Sequence, residues 1–160
     1  MAQDALFGVS WQTMLSDSAR IAVAYLLALP IGWNREKEHT AGIRTFPIVS
    51  IAACGFVMLG SAATVYTPDS YSRLLQGLIT GIGFIGGGAI LKDKDKESVM
   101  GTATAASIWN IAIVGASVGL GLYHIAVVLT IINILTLRLL TPVKHEMDNN
   151  SRGDSQKPKD

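Results

Sequence analysis

Apolar residues are arranged along this chain in long runs that polar residues interrupt only at intervals. The runs at residues 45–66, 74–91 and 99–137 contain no Asp, Glu, Lys or Arg. A helix crosses a bilayer with about 20 residues, because each residue advances about 1.5 Å through a hydrocarbon core about 30 Å thick. The third run is long enough for two crossings, and Gly119 and Gly121 supply backbone freedom for a reversal between them. Helices are expected because hydrocarbon offers no partner to an unpaired backbone group.

A span at residues 19–33 completes a set of five. Its apolar part is only 13 residues long and contains Pro30, so the helix is expected to begin earlier and to take in Asp17 and Arg20. These two residues lie on one helical face, where they can pair, and the alternative is an ion or proton relay. Residues 1–18 are expected to form an interfacial amphipathic segment or to lengthen the first span.

Lysine and arginine residues are divided unevenly between the two sides that five spans would separate. Eleven of the 13 fall on one side, and only Arg20 and Arg73 fall on the other. Because cationic loops stay in the cytoplasm, the N-terminus is expected outside and the C-terminus in the cytoplasm. The polar tail is predicted to be disordered.

The predicted fold is therefore an all-α membrane protein, a compact bundle of five transmembrane helices. The N-terminal segment occupies residues 1–18, the transmembrane domain residues 19–141 and the cytoplasmic tail residues 142–160. The five spans are placed at about residues 19–33, 45–66, 74–91, 101–118 and 122–140.

Charge pattern and rare chemical groups exclude several classes of function. Lysines alternate with acids in residues 92–97, which is typical of a solvated loop and not of a nucleic-acid-binding surface. His39, His124 and His145 lie in separate segments without a paired base or nucleophile, so no catalytic residue and no enzyme activity are predicted. Cys54 is the only cysteine and is expected to be a small packing residue. We expect no cofactor and no bound metal.

Glycine is concentrated in the third predicted span. Pairs of glycines separated by four residues let a neighbouring helix approach closely, so that van der Waals packing holds the two together. The pairs are Gly77 with Gly81 and Gly83 with Gly87, and Gly115 with Gly119 repeats the spacing in the fourth span.

A second interpretation of the same segment is a broken helix. Gly86, Gly87 and Gly88 would interrupt the third span and expose carbonyl groups to a cavity, as in transporter half-helices. Residues 81–86 also fit the dinucleotide pattern G-x-G-x-x-G, but that pattern needs a preceding strand in a soluble fold.

Amides and hydroxyls inside the predicted spans are expensive unless they find partners. Gln76, Thr80, Asn110 and Asn133 are therefore expected to face other helices and form hydrogen bonds, and the alternative is that they line a polar cavity. Trp109 lies too deep for an interfacial aromatic belt and is expected in the core of the bundle.

Four ordered motifs carry a resemblance to a known family. PIGWNRE at residues 30–36 is followed by AGIRT at 41–45, then by Arg73 eight residues before GIGFIGGGAIL at 81–91, then by GTATAASIW at 101–109. Together they resemble the MgtC/SapB family of bacterial membrane proteins. The motif residues carried over are Asn34, Arg35, Glu36, Gly42, Arg44, Thr45, Arg73, Gly81, Gly83, Gly86, Gly87, Gly88, Thr104, Ala105 and Trp109.

The resemblance implies a five-span protein of the bacterial inner membrane that is associated with adaptation to magnesium limitation and, in pathogens, with survival inside host cells. Family members look like modulators of other membrane machinery, and the ATP synthase is a proposed partner. Two departures stand out. Many members have Glu where this chain has Asn34, and many carry a cytoplasmic regulatory domain after the last span, which this sequence lacks.

The motif residues between the first two spans form a short cytoplasmic hairpin. Arg35 and Arg44 are predicted to bind lipid phosphate or an acidic partner helix, with Glu36 or Glu38 orienting them. The alternative is that both arginines are ordinary positive-inside anchors. Thr45, followed by Phe46 and Pro47, suits the start of a helix, since proline is tolerated in the first turn.

The functional hypothesis is an integral-membrane accessory or regulatory protein. It would bind another membrane protein, or a second copy of itself, through glycine-rich helix faces and the Arg hairpin. The alternative is a magnesium or other ion transporter that works as a homo-oligomer. Mg²⁺ prefers an octahedral shell of oxygen ligands, usually including carboxylates, and the carboxylates of this chain all lie near the ends of the spans.

Overall fold

Five helices make up almost all of the regular structure in the described part of the chain. The computed structural model describes residues 5–6, 9–36, 42–62, 68–92 and 99–154, and side chains within 10–36, 42–61, 69–92 and 99–140. The helices are α1 (Trp11–Glu36), α2 (Thr45–Ala62), α3 (Pro68–Gly88), α4 (Thr102–Gly119) and α5 (Tyr123–Asp154). Two short antiparallel pairs accompany them, β1 (Ala5–Leu6) with β2 (Val9–Ser10) and β3 (Leu91–Lys92) with β4 (Val99–Met100).

The first span is longer than its apolar run. A single helix, α1, begins at Trp11 and runs through Pro30 to Glu36, so residues 11–18 lengthen the span and do not form a separate interfacial helix. The Ser10 hydroxyl accepts a hydrogen bond from the backbone N–H of Thr13 at 3.2 Å, and this cap satisfies one of the donors that a helix leaves free at its N-terminus.

Within the described residues, three helices have the length and composition to cross a membrane: Trp11–Glu36, Thr102–Gly119 and Tyr123–Leu140. The apolar part of α2, Thr45–Ser61, is slightly shorter, and residues 63–66 of its predicted span lie outside the described residues. Helix α3 begins at Pro68, before its apolar run, and so includes Asp69 and Arg73. The prediction of an all-α membrane bundle of five helices is confirmed.

Helix α4 is the central helix of the bundle. It packs against α1, α2, α3 and α5, whereas α3 has α4 and α2 as its main neighbours. Ile108, Ile111, Val114 and Val118 are almost completely buried. They join a core of mostly small and aliphatic side chains to which α1, α2, α3 and α5 also contribute. Small side chains allow close helix approach, which is the main source of packing energy when lipid surrounds the bundle.

The reversal between α4 and α5 forms at the predicted glycines. Gly121 has a φ of 76°, and the backbone N–H groups of Gly121 and Leu122 donate to the carbonyls of Val118 (2.9 Å) and Ser117 (2.8 Å). This is the hydrogen-bond pattern of a Schellman motif, which satisfies the free carbonyls at a helix end and favours glycine at the left-handed position. The two spans are therefore joined by a turn of three residues, 120–122.

Helix α5 continues beyond the membrane-spanning length. Its backbone is helical to Asp154, which differs from the disordered tail predicted over residues 142–154, and residues 155–160 lie outside the described residues. A helix that has already formed lengthens at low cost, because each added residue gains one hydrogen bond without a new nucleation step.

Candidate functional site

The hairpin between α1 and α2 brings several motif residues together. A carboxylate oxygen of Glu36, Oε2, accepts a hydrogen bond from the backbone N–H of Ile43 at 2.9 Å. A side-chain carbon at Gly42 would collide with the same carboxylate, so only glycine leaves room for this contact. The backbone N–H of Thr45 donates to the Gly42 carbonyl at 3.0 Å where α2 begins. Glu36 therefore links the end of α1 to the residues that lead into α2. Its role in orienting the arginines stays a prediction.

The two arginines of the hairpin have different environments. Arg35 is only 5% exposed, and its Nη2 donates to Oδ1 of Asn34 at 3.2 Å, while Nε is buried without a hydrogen-bond partner among the described residues. Arg44 is exposed. Both arginines were predicted to bind lipid phosphate or an acidic partner helix. Because Arg35 is buried, only Arg44 is accessible to such a group. Glu38, the other predicted orienting residue, lies outside the described residues.

The glycines of α3 mostly face away from the rest of the chain. Helix α3 is continuous through Gly86 and Gly87 and ends at Gly88, three residues before the end of its predicted span, so the glycine triplet ends the helix and does not interrupt it midway. The carbonyls of Gly86 and Gly87 accept hydrogen bonds from Ala89 and Ile90 at the helix end. A side-chain carbon at Gly86 would lie 3.5 Å from the carbonyl oxygen of Ala105 in α4. At five other glycines it would meet nothing within 4 Å: Gly77, Gly81, Gly83, Gly87 and Gly88.

The remaining motif residues divide between the core and the surface. Thr104 and Ala105 are buried in α4, and Arg73 is exposed near the start of α3. Trp109 is 42% exposed, so its prediction as a core residue is wrong. The close approach of α2 to α4 leaves space for small side chains on the inner face of α4, and the large indole of Trp109 lies outside that contact.

Two of the four intramembrane amides and hydroxyls face the surface, against prediction. Gln76 and Thr80 are exposed because α3 makes its contacts through Leu78, Ile82 and Gly86 on another face. The Thr80 hydroxyl donates to the backbone carbonyl of Gln76 at 2.8 Å, a local bond that satisfies it without a second helix.

The other two amides lie between α4 and α5, as predicted. Asn133 is 9% exposed, and its Oδ1 accepts a hydrogen bond from the Ser107 hydroxyl at 3.3 Å. Asn110 lies one turn further along α4, and its buried Oδ1 has no partner within the described residues. Both line a cavity of about 240 Å³, so the interhelical bond and the polar cavity, which the sequence left as alternatives, occur together.

One interhelical contact was missed by sequence reasoning. Arg20 was expected to pair with Asp17, but its Nη1 donates to the backbone carbonyl of Gly119 at 3.3 Å. The last carbonyls of a helix lack intrahelical partners and carry partial negative charge, so a cation at that end is favourable. In the sequence, this contact was indicated only by the position of Gly119 next to the predicted end of the fourth span, where backbone carbonyls lack partners within the helix. Cys54 is buried, in agreement with its predicted packing role.

Within the described residues no three His, Cys, Asp or Glu side chains lie close enough together to hold a metal ion. The features with potential for recognition are thus a hairpin with one exposed arginine, an open glycine face on α3 and a polar cavity between α4 and α5.

Comparison with known proteins identifies relatives of this chain. It is 37% identical over 131 residues to protein SrpB of Synechococcus elongatus, covering 75% of this chain and 72% of that protein. It is 37% identical over 134 residues to protein MgtC of Brucella abortus, covering 83% of this chain and 55% of that protein. Protein SapB of Bacillus subtilis is 30% identical over 122 residues, covering 72% of this chain and 52% of that protein.

The chain therefore spans about half the length of the MgtC and SapB relatives. No solved structure matches it significantly. The model of the family described as "MgtC family" matches residues 21–146, which include α1 from its third turn, α2, α3, α4 and the membrane-spanning part of α5. This chain is a membrane protein of the MgtC family.

Proposed function

We propose that this protein is an integral-membrane accessory protein that binds a helix of another membrane protein on the glycine face of α3. The observation that carries this proposal is that Gly77, Gly81 and Gly88 fall on one side of α3 at about 100° per residue, and an added side-chain carbon at each of them would meet nothing within 4 Å. These three residues form the glycine face. Removing side chains from a lipid-facing helix surface allows another backbone to come close, and close packing is the main attraction between helices in lipid.

The neighbouring apolar side chains support a protein partner. Phe84 is 85% exposed and Ile85 is 45% exposed beside these glycines. A partner helix that packs on Gly81 would therefore have a large aromatic ring available at the edge of the contact. Aromatic side chains contribute strongly to interfaces because each buries a large area.

Arg44 is the second proposed contact. It is exposed just before α2, where the backbone N–H of the neighbouring Ile43 donates to Glu36, whereas Arg35 is buried. An exposed arginine at the end of a membrane helix is suited to bind a carboxylate of the partner or a lipid phosphate, since its guanidinium presents paired donors. Arg35, which is buried, is proposed to support the packing of the hairpin and not to contact the partner.

The location follows from the same proposal. The protein resides in the bacterial inner membrane as a multi-pass protein, with the hairpin on the cytoplasmic side, because 11 of the 13 Lys and Arg residues fall on that side of a five-span topology. The resemblance to the MgtC/SapB family supports a role in adaptation to magnesium limitation. Reporter fusions at the two ends of the chain test the topology, and ends found in the same compartment would refute it.

Affinity purification from magnesium-starved cells tests the partner. Gly81→Ala is compared with Gly55→Ala, because a side-chain carbon meets nothing within 4 Å at either position and both changes raise helix propensity equally. We expect Gly81→Ala to reduce recovery of a stoichiometric membrane protein at least several-fold and Gly55→Ala to leave it unchanged. Equal recovery with both variants removes the glycine face from the proposal.

A second matched pair tests the hairpin. Arg44→Ala should weaken recovery of the partner, whereas Arg138→Ala, which removes an exposed arginine of α5, should not. Uptake of Mg²⁺ by the purified protein alone in proteoliposomes would instead assign it to transport and defeat the accessory role. Recovery of no stoichiometric partner from magnesium-starved cells would also count against it.

A further inference from the structure

The cavity between α4 and α5 has polar groups within membrane-crossing segments. It has a volume of about 240 Å³. Its polar lining consists of Ser107, Asn110, Asn133 and Thr136, and Ile132 and Leu137 supply apolar walls. Most of the lining is apolar and the cavity is open to the outside of the bundle. Its few polar atoms are expensive in hydrocarbon unless they are hydrogen-bonded, so they favour an occupant that can bond to them.

The hydrogen bonds within the cavity are incomplete. The Ser107 hydroxyl donates to Oδ1 of Asn133, which gives that oxygen one partner. Oδ1 of Asn110 is buried and has no partner in the described part of the chain. A carboxamide carries both an acceptor and two N–H donors. The cavity therefore needs at least one donor for Asn110 and can offer donors in return.

The chemistry of the lining selects a class of ligand. No charged side chain lines the cavity, so an ion would have to give up its hydration without a counter-charge. A carbonyl compound only accepts hydrogen bonds and would leave Oδ1 of Asn110 unpaired. A hydroxyl both donates and accepts, and an apolar chain attached to it fits beside Ile132 and Leu137.

We propose that this cavity binds a neutral alcohol, with its hydroxyl donating to Asn110 and its apolar part against Ile132 and Leu137. Ala103, Ala106 and Ile132 are exposed where the cavity meets the outer surface of the bundle, so the ligand enters sideways from the bilayer. The hydroxyl belongs either to a free aliphatic alcohol or to an uncharged lipid such as diacylglycerol.

Photolabelling of the full chain in phosphatidylcholine vesicles tests the proposal. The probe is octanol carrying a diazirine, and the matched control probe is an octane with the same diazirine and no hydroxyl. We expect octanol to label peptides that contain residues 103–110 and 132–137, with unlabelled octanol competing. Equal labelling of these peptides by the octane probe would overturn the proposal, because the site would then recognise only an apolar chain.

Variants locate the hydrogen bond. Asn110→Leu should reduce hydroxyl-dependent labelling roughly three- to tenfold, the effect expected for one buried hydrogen bond. Thr130→Val is the matched control, since the Thr130 hydroxyl is also buried without a partner in the described chain but does not line the cavity. Thr136→Val, at an exposed position of the cavity, should reduce labelling about twofold and covers a failure of Asn110→Leu to fold. Unchanged labelling in both cavity variants would overturn the proposal.

Two further probes distinguish the sources of the hydroxyl. Diacylglycerol and phosphatidylcholine carrying the same diazirine share their acyl chains but differ at the third glycerol carbon, which bears a free hydroxyl in diacylglycerol and a zwitterionic phosphocholine group in phosphatidylcholine. Labelling of the cavity peptides by diacylglycerol, with phosphatidylcholine inactive, assigns the site to a lipid alcohol, and labelling by octanol alone assigns it to a free alcohol. Equal labelling by both lipids would mean that the hydroxyl is not recognised.

Discussion

Glycines at the same four-residue spacing have opposite environments in α3 and α4. Side-chain carbons at Gly115 and Gly119 would collide with the carbonyl oxygens of Ser50 and Cys54 in α2, the second at 2.7 Å. Side-chain carbons at Gly77 and Gly81 would meet nothing within 4 Å. The α4 pair is therefore already used inside the chain, and the α3 pair is open. Spacing marks a helix face that permits close approach, but it does not say which helix comes close.

The largest effect is expected at Gly115. Gly115→Ala places a methyl group against the backbone carbonyl of Ser50, which cannot move without shifting α2. We expect a loss of about 2–3 kcal/mol in the free energy of unfolding, the range for overpacking a tight contact. Unfolding of the purified protein in detergent micelles measures the change. Stability equal to wild type would show that α2 and α4 do not pack this closely.

Gly119→Ala should have a smaller effect of the same sign. The added carbon would lie 2.7 Å from the Cys54 carbonyl oxygen, near the end of α4. Helix ends adjust more easily than helix centres, so we expect a loss of about 1–2 kcal/mol in the free energy of unfolding, within the range for overpacking. The same unfolding experiment, run beside Gly115→Ala, ranks the two positions. A larger loss at Gly119 would place the tighter contact at the helix end.

Ser50→Ala separates close approach from hydrogen bonding in the same contact. The Ser50 hydroxyl donates to the Ala24 carbonyl of α1 at 2.9 Å, while its backbone carbonyl faces Gly115. Losing the hydroxyl should cost about 1 kcal/mol, the usual net value of one hydrogen bond. Detergent unfolding of Ser50→Ala and of its double variant with Gly115→Ala measures the coupling. A loss as large as that of Gly115→Ala would mean that the bond to α1, and not the approach to α4, holds α2.

Gly81→Ala should change stability least, and in the opposite direction. Its added methyl group meets no atom of the chain, and alanine favours a helix over glycine by about 1 kcal/mol. We expect a gain of about 0.5–1 kcal/mol in the free energy of unfolding of the isolated protein. Gly55→Ala in α2 is the matched control and should show a similar gain. Destabilisation at Gly81 alone would show that the isolated protein already uses this face.

Much of the fold could be predicted because the bilayer imposes it. The uncharged runs fix the helical segments. The beginning of α1 was harder to predict from the sequence, because Ser10 caps the helix well before the apolar run begins. The beginning of α3 at Pro68 was missed for the same reason, since polar residues fill its first turns.

The candidate site was predictable mainly as a set of residues. The sequence grouped Asn34, Arg35, Glu36 and Arg44 at one hairpin, which the structure contains, but it could not separate the buried arginine from the exposed one. Exposure depends on how α1 and α2 cross. Trp109 was misplaced for a related reason, because depth along a span says nothing about which side of the helix faces lipid.

The sequence by itself determined that this chain forms a bundle of membrane helices, because the cost of leaving backbone groups unpaired in hydrocarbon allows few other structures. Only the tertiary structure decided which polar and small residues face one another. Asn110 and Asn133 meet at one cavity, Gly115 packs on Ser50, and the glycines of α3 stay open. The reason is that packing between helices in lipid depends on shape at close range, which no single segment encodes.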